Sequence, residues 1–233
     1  MADTLQFDHV HLSAPDQAAA AQWYIDHLGA RLGASPERVL VGDTLWLIFY
    51  QAAHARPSRD GVIESVGFSV TDAAAKVHEL LSAGATLVQP VRDVPQLFPM
   101  GIVDDPFGVR LAIVQDPDTL GFHHVRVRVA DPDAAFQWYL EMFGGERTAL
   151  KGHLDAVRYD RVWLLAEHGE AHPSEGHAID HLGWRAPHLD TKVAELKTKH
   201  VTFTMEPRQF NVRVRISFVV GPAGTRIEVL ERS

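Results

Sequence analysis

Three strand-like segments in the second half of the chain carry side chains able to hold a metal ion or move a proton. In residues 122–130, Val125, Val127 and Val129 fall on one parity and His124, Arg126 and Arg128 on the other. Successive strand residues face opposite sides of a sheet, so the valines suit packing and the His/Arg face is left for solvent or a ligand. Residues 226–230 behave alike, with Ile227 and Val229 on one side and Arg226, Glu228 and Leu230 on the other. In residues 179–185, His181, Gly183 and Arg185 share a side. Imidazole and carboxylate are donors for divalent transition metals, and a neutral imidazole suits acid–base work near pH 7. The chain has no cysteine, which excludes disulfides, thiolate metal sites and a cysteine nucleophile.

Other residues could serve the same chemistry. His168, His172 and His177 lie in the polar stretch AEHGEAHPSEGH, the kind of loop that can cover a cup and supply a proton carrier. Tyr159 is a further proton-transfer candidate; the ordinary alternative for it is a strand aromatic. Arg126, Arg128, Arg185 and Arg226 share parity with His124, His181 or Glu228, and guanidinium forks suit carboxylate and phosphonate groups. Trp23, Tyr24, Trp138 and Tyr139 occur at helical spacing and read as core packing.

The elements that must position these groups are written twice. AAAAQWYIDHLGAR at residues 18–31 matches DAAFQWYLEMFGGE at 133–146, offset by 115. At an offset of 116, KVHEL at 76–80 matches KVAEL at 192–196, and Pro106-Phe107-Gly108 matches Pro222-Ala223-Gly224. The polar stretch Gln115-Asp116-Pro117-Asp118 marks the boundary, giving units of 1–116 and 117–233. Each half divides again. A strand at 7–12, a helix at 15–28 and β-rich runs such as 44–50 are followed by a second set: a strand at 62–70, a helix at 72–81 and strands ending at 110–114. The second half restarts the pattern at Phe122 and at Ile179. Pro15 and Pro132 are placed to open the helices near Asp16 and Asp133. The expected fold is α+β, with four tandem βαβββ modules.

That organisation, with FDHVHLSAPDQAAAAQWYIDHLG, FHHVRVRVADPDAAFQWYLEMFGG, DDPFGVRLAIVQ and GPAGTRIEVLE, resembles the vicinal oxygen chelate superfamily, also called the glyoxalase/bleomycin resistance/dioxygenase superfamily. The resemblance spans almost the whole chain. It implies modules paired into two curled mixed β-sheets with helices on the convex face. It also implies a metal in a cup, held from the first strand of each paired module and the last strand of the second.

Carried over residue by residue, the resemblance makes His124, His181 and Glu228 the ligands of one divalent ion (Fe2+, Mn2+, Zn2+ or Co2+). Ser65 and Ala112 stand at the matching places of the first half, which is therefore expected to hold no metal of its own. Adjacent pairing of modules, with short connections, is the simpler topology and selects His124. Pairing of the first module with the fourth would put His9 in its place. A glyoxalase would need a fourth ligand, and Trp163 stands at that position, with Glu167 a weak substitute. Extradiol dioxygenases carry a Tyr where Phe218 stands, and a His near Gln209-Phe210-Asn211.

The expected function is a metal-dependent enzyme of lyase, isomerase or addition type acting on a small, anionic, oxygen-chelating substrate. The alternatives are an Fe(II)-dependent extradiol-type dioxygenase and a non-catalytic protein that sequesters an antibiotic. A net charge of −8 argues against nucleic acid and anionic membranes as partners. That charge is uneven, with 7 Lys+Arg against 14 Asp+Glu in residues 1–116 and 15 against 16 in the rest. No apolar run is long enough to span a membrane, and the first ten residues lack a secretory pattern, so a cytoplasmic monomer or homodimer is expected.

Overall fold

The computed structural model describes residues 3–33, 35–43 and 45–232. Thr44, at the start of one expected β-rich run, lies outside the described residues. The order of elements is four repeats of strand, helix and three strands. The first module holds β1 (Gln6–Ala14), α1 (Gln17–Leu28), β2 (Arg31–Leu32), β3 (Arg38–Val41) and β4 (Leu45–Gln51). The second holds β5 (Ile63–Ser69), α2 (Ala73–Ser82), β6 (Thr86–Asp93), β7 (Pro99–Asp104) and β8 (Arg110–Val114). The third holds β9 (Gly121–Val129), α3 (Pro132–Phe143), β10 (Glu146–Leu150), β11 (Leu154–Tyr159) and β12 (Val162–His168). The fourth holds β13 (Ile179–Arg185), α4 (Leu189–Thr198), β14 (Phe203–Asn211), β15 (Val214–Val220) and β16 (Arg226–Arg232).

Local chemistry explains the helix starts. The Asp16, Asp72 and Asp131 carboxylates each accept a backbone N–H from the first turn of α1, α2 and α3, satisfying donors that the helix itself leaves open. Pro132 opens α3 as expected, whereas Pro15 does not open α1. Asp16 is the cap there, and Pro15 lies in the bend between β1 and that cap.

Two open, mixed, eight-stranded sheets result. The first runs β14-β15-β16-β13-β1-β4-β3-β2 and the second β10-β11-β12-β9-β5-β8-β7-β6. The first module therefore pairs with the fourth, and the second with the third, through antiparallel β1/β13 and β5/β9 contacts. This corrects the expectation of adjacent pairing within each half. The connector lengths explain the outcome. The short connector at 115–120 joins two modules that do pair, as short links should. The longer ones at 52–62 and 169–178 run side by side, bridged at Arg56/His177 and Gly61/His172, and carry the chain from one sheet to the other.

One face of each sheet packs against the helices. Val10, Leu12, Leu47 and Phe49 do so in the first sheet and Val66, Phe68, Val125 and Val127 in the second, within one continuous core. Trp23, Tyr24 and Tyr139 are buried in it, with Trp138 packed at its edge. No helix among the described residues is long and apolar enough to cross a membrane.

Candidate functional site

The pairing decides which side chains meet. In β1 and β13, Val10 and Leu182 turn to the core, which leaves His9, His11 and His181 on the concave face. Glu228 joins them from β16, whose Glu228 lies in register with Gly183. His9, His181 and Glu228 each offer a ligand atom, and these atoms all lie within 4.8 Å of one another. His181 Nε2 is 3.2 Å and His9 Nε2 3.5 Å from the same Glu228 oxygen, Oε2. All three residues are at most 9 % exposed. His124 is not among them; it lies in β9 of the second sheet, opposite Gly67 of β5. The first-strand imidazole of this cluster is His9.

The other nitrogen of each imidazole is already engaged. A carboxylate can only accept, so Nδ1 of His9 carries the proton it donates to Asp8 Oδ1 at 2.9 Å, and Nδ1 of His181 donates to Asp180 Oδ1 at 2.7 Å. Both Nε2 atoms are thereby left pointing at Glu228. His9 Nε2 is buried and has no well-formed hydrogen bond, as suits an atom that would donate to a cation between the three groups. Two imidazoles and one carboxylate, each with its outer atom fixed, fit a divalent ion with open positions for other ligands.

Electrostatics agree with the geometry. Burial alone would lower the His9 pKa, but Glu228 and Asp8 beside it raise it to about 9. Burial would raise Glu228, yet the charges of His9 and His181 hold it well below the usual carboxylate range. Asp8 is likewise drawn down to about 2 by His9 and Arg232 against its burial.

The cluster forms the floor of a cavity of about 440 Å³, the size of a small-molecule site. One wall, on β15 and β16, is apolar and built from Val214, Ile216, Phe218 and Leu230, with Arg208 of β14 beside Ile216. The other, on β1, β3 and β4, carries His11, Ser13, Tyr50 and Arg38, with Ile48 paired to both His11 and Arg38. The His11 ring stacks on His181 at 4.3 Å and tilts toward Tyr50 at 5.6 Å. Burial, then the neighbouring His181 and His9, hold His11 well below its ordinary pKa. Arg208 has no partner among the described residues. Arg226 reaches the cavity but is bonded to Asp180 at 2.6 Å and lies over the Phe218 ring.

Ile48 occupies the place related to Glu228 by the internal symmetry, because His11 pairs with Ile48 in β4 as Gly183 pairs with Glu228 in β16. Ile48, rather than the Trp163 expected from adjacent pairing, is thus the residue opposite the carboxylate, and it too lacks a donor. Phe218 does border the site, with its ring 4.9 Å from that of His181.

Several expected contributors lie elsewhere. Arg126 and Arg128 are in the second sheet, paired with Glu167 and with Glu64. Arg185 hydrogen-bonds Gln6 and does not line the cavity. Tyr159 is buried in the core, its hydroxyl donating to the Tyr139 carbonyl. His168 is exposed at the end of β12, against the Ala130 carbonyl. His172 faces Arg59, Asp60 and Arg128 at a separate surface recess. His177 is buried against Gly61 in the bridge between connectors.

The second sheet shows what became of its own concave face. Ala112, Val114, Leu150, Ala156 and Leu165 fill it, closed by Phe98 and Trp163. Residues missed by reading the sequence alone are His11, Tyr50, Arg38 and Arg208. The His9-x-His11 alternation was a visible signal for the first. The Asp-His dipeptides at 8–9 and 180–181 were a signal for the correct partner, since His124 follows His123 instead.

The family model described as the Glyoxalase/Bleomycin resistance protein/Dioxygenase superfamily matches residues 6–113 and again 121–229. Glyoxalase I from Zea mays has a similar structure, with a TM-score of 0.76 at 15 % identity, covering 98 % of this chain and 92 % of that one. A structure titled "putative dioxygenase from Bacillus subtilis" gives a TM-score of 0.69 at 16 % identity, covering 100 % and 86 %. At these identities the likeness is one of fold. No curated protein sequence matches the chain.

Proposed function

Because the chain belongs to the Glyoxalase/Bleomycin resistance protein/Dioxygenase superfamily, we propose that it is a metal-dependent enzyme of lyase, isomerase or addition type. Its substrate is a small anion that presents two neighbouring oxygens. His9, His181 and Glu228 hold one divalent cation. The observation that carries this reading is the convergence of three buried ligand atoms on the floor of an open cavity, with no fourth donor in the cluster among the described residues. A divalent ion there supplies charge stabilisation for an oxyanion developing on the substrate.

The chain's own residues do the rest. Arg208, without a carboxylate partner, and Arg38 face the cavity and suit an anionic group. The apolar wall excludes water beside it. His11 and Tyr50 present hydrogen-bonding groups to whatever lies over the cluster. Catechol cleavage is less well supported, since Phe218 offers no hydroxyl beside His181.

The test is metal analysis of protein purified without chelators and after reloading. Wild-type protein and His124→Ala are expected to hold about one equivalent, and His9→Ala, His181→Ala and Glu228→Ala to hold none. A wild-type protein that takes up no Zn2+, Mn2+, Co2+ or Fe2+ overturns the proposal. Loss of metal in His124→Ala with retention in His9→Ala would overturn the choice of ligands.

A further inference from the structure

Asp8 and Asp180 each sit on a β-bulge. The β1/β13 register runs Phe7↔Trp184 and then His9↔Gly183, leaving Asp8 unpaired; it runs His11↔His181 and then Leu12↔Ile179, leaving Asp180 unpaired. In a regular strand, neighbouring side chains point to opposite faces, so an aspartate could not reach the histidine that follows it. The inserted residue re-aims the side chain, and each carboxylate turns back onto the next imidazole.

Behind each aspartate stands an arginine. Arg232 grips Asp8 at 2.6 and 3.1 Å, and Arg226 donates to Asp180 at 2.6 Å. Both arginines belong to β16, the strand that also carries Glu228. One strand therefore supplies the third member of the cluster and the outer end of two Arg–Asp–His chains. Asp8 and Asp180 are 2 % and 8 % exposed, so these bonds act with little competition from water.

The second sheet contains the same bulges with different residues on them. Glu64 and His123 are the unpaired residues there. Arg110, at the place of Arg226, still holds Glu64 at 3.1 Å, but Ser65 follows where His181 would be. At the other bulge the pair is inverted, with His123 in the place of Asp8 and Asp116 in that of Arg232, 3.2 Å apart. His124 then meets a ring nitrogen rather than a carboxylate, Nδ1 to Nδ1 at 2.8 Å. Among the described residues, a bulge carboxylate bonded to the imidazole that follows it occurs in the sheet that carries the His-His-Glu cluster. In the other sheet neither bulge residue is a carboxylate bonded to a following imidazole.

We infer that Asp8 and Asp180 are positioning residues for the metal centre. They hold Nδ1 protonated so that each Nε2 faces Glu228, and with Arg232 and Arg226 they set the rotation of both rings. This rests on the metal-binding reading above. Partners of this kind are typically worth about 10–100-fold in metal affinity.

The experiment titrates metal-stripped wild type, D8N, D180N and E64Q with Zn2+ and with Co2+ at one fixed pH. D8N and D180N are each expected to bind about 10–100-fold more weakly. E64Q, which alters the equivalent bulge of the other sheet, is expected to bind as wild type does. In the Zn2+-loaded wild type, the slowly exchanging Nδ1–H protons of His9 and His181 should be visible by NMR, and D8N and D180N should lose the first and the second respectively; general loosening of the fold would not remove them one at a time. Should either asparagine variant fail to fold, R232Q and R226Q reach the same carboxylates from behind and are expected to weaken binding in the same direction.

Wild-type affinity in D8N and D180N, or an equal loss in E64Q, overturns the inference while leaving the metal site standing. A wild-type protein that binds neither ion overturns both.

Discussion

Removing any metal and raising the pH should weaken the fold through one residue, His9. Its ring is 1 % exposed and lies between Asp8 and Glu228, which lift its pKa from 6.5 to about 9 despite its burial. A group whose folded pKa is raised contributes stability that is complete below the unfolded value and is lost as the pH climbs through the folded one. The window is therefore pH 6.5 to 9. A tenfold gain in proton affinity on folding is worth about 1.4 kcal/mol, and His9 gains more than a hundredfold. The loss is then on the order of 3 kcal/mol, a large share of the stability of an ordinary domain. The assay is urea unfolding of metal-stripped wild type and His9→Gln at intervals from pH 6 to 10. Subtracting the two removes the titration of the groups that His9 does not touch, and Asp8 and Glu228, both beside His9, are carboxylates held low. The difference should favour wild type most at low pH and shrink by that amount as the pH rises. A difference that stays flat across the window refutes the reasoning.

Two further substitutions test the packing that aims the site. A Cβ on Gly183 would lie 2.2 Å from the His9 ring, so Gly183→Ala should push that ring aside, lower metal affinity by about tenfold or more and cost about 1–3 kcal/mol in denaturant unfolding. Gly67→Ala makes the same collision with His124 and should cost stability while leaving metal content unchanged. Phe98→Ala opens the filled concave face of the second sheet and should cost about 3 kcal/mol by the shift of its urea midpoint, again with metal content intact.

Most of the local structure was legible in the chain, and the assembly was not. Alternation in residues 122–130 separated the core valines from the His/Arg face correctly. Parity, however, says which side a residue takes and nothing about which strand lies next to it. Arg126 and Arg128 therefore stand on the expected side of β9, but in the other sheet from Glu228. His9 was readable as a rival to His124, and the choice between them turned on connectors whose course depends on their own bridging hydrogen bonds, such as Ala178 N–H to the Arg56 carbonyl. The roles of Asp8 and Asp180 escaped notice because a strand pattern assigns them to the wrong face; bulges break that rule, and no residue type announces one. His11 and Tyr50 became visible once β1 and β4 were known to line the same cavity.

The pairing of first with fourth module also sets an order of events in time. The strands of the second sheet, β5 to β12, are contiguous in the chain, so that sheet can close as soon as residue 168 is available. The first sheet needs β1 to find β13, joining residue 10 to residue 182, and it cannot form until residues 179–232 have been made. Contacts so distant are slow to form, because the intervening chain must first be brought to a loop. During synthesis β1 to β4 must wait with open edges, exposed to wrong partners, until the fourth module emerges. The sheet that carries His9, His181 and Glu228 is thus the last to be completed.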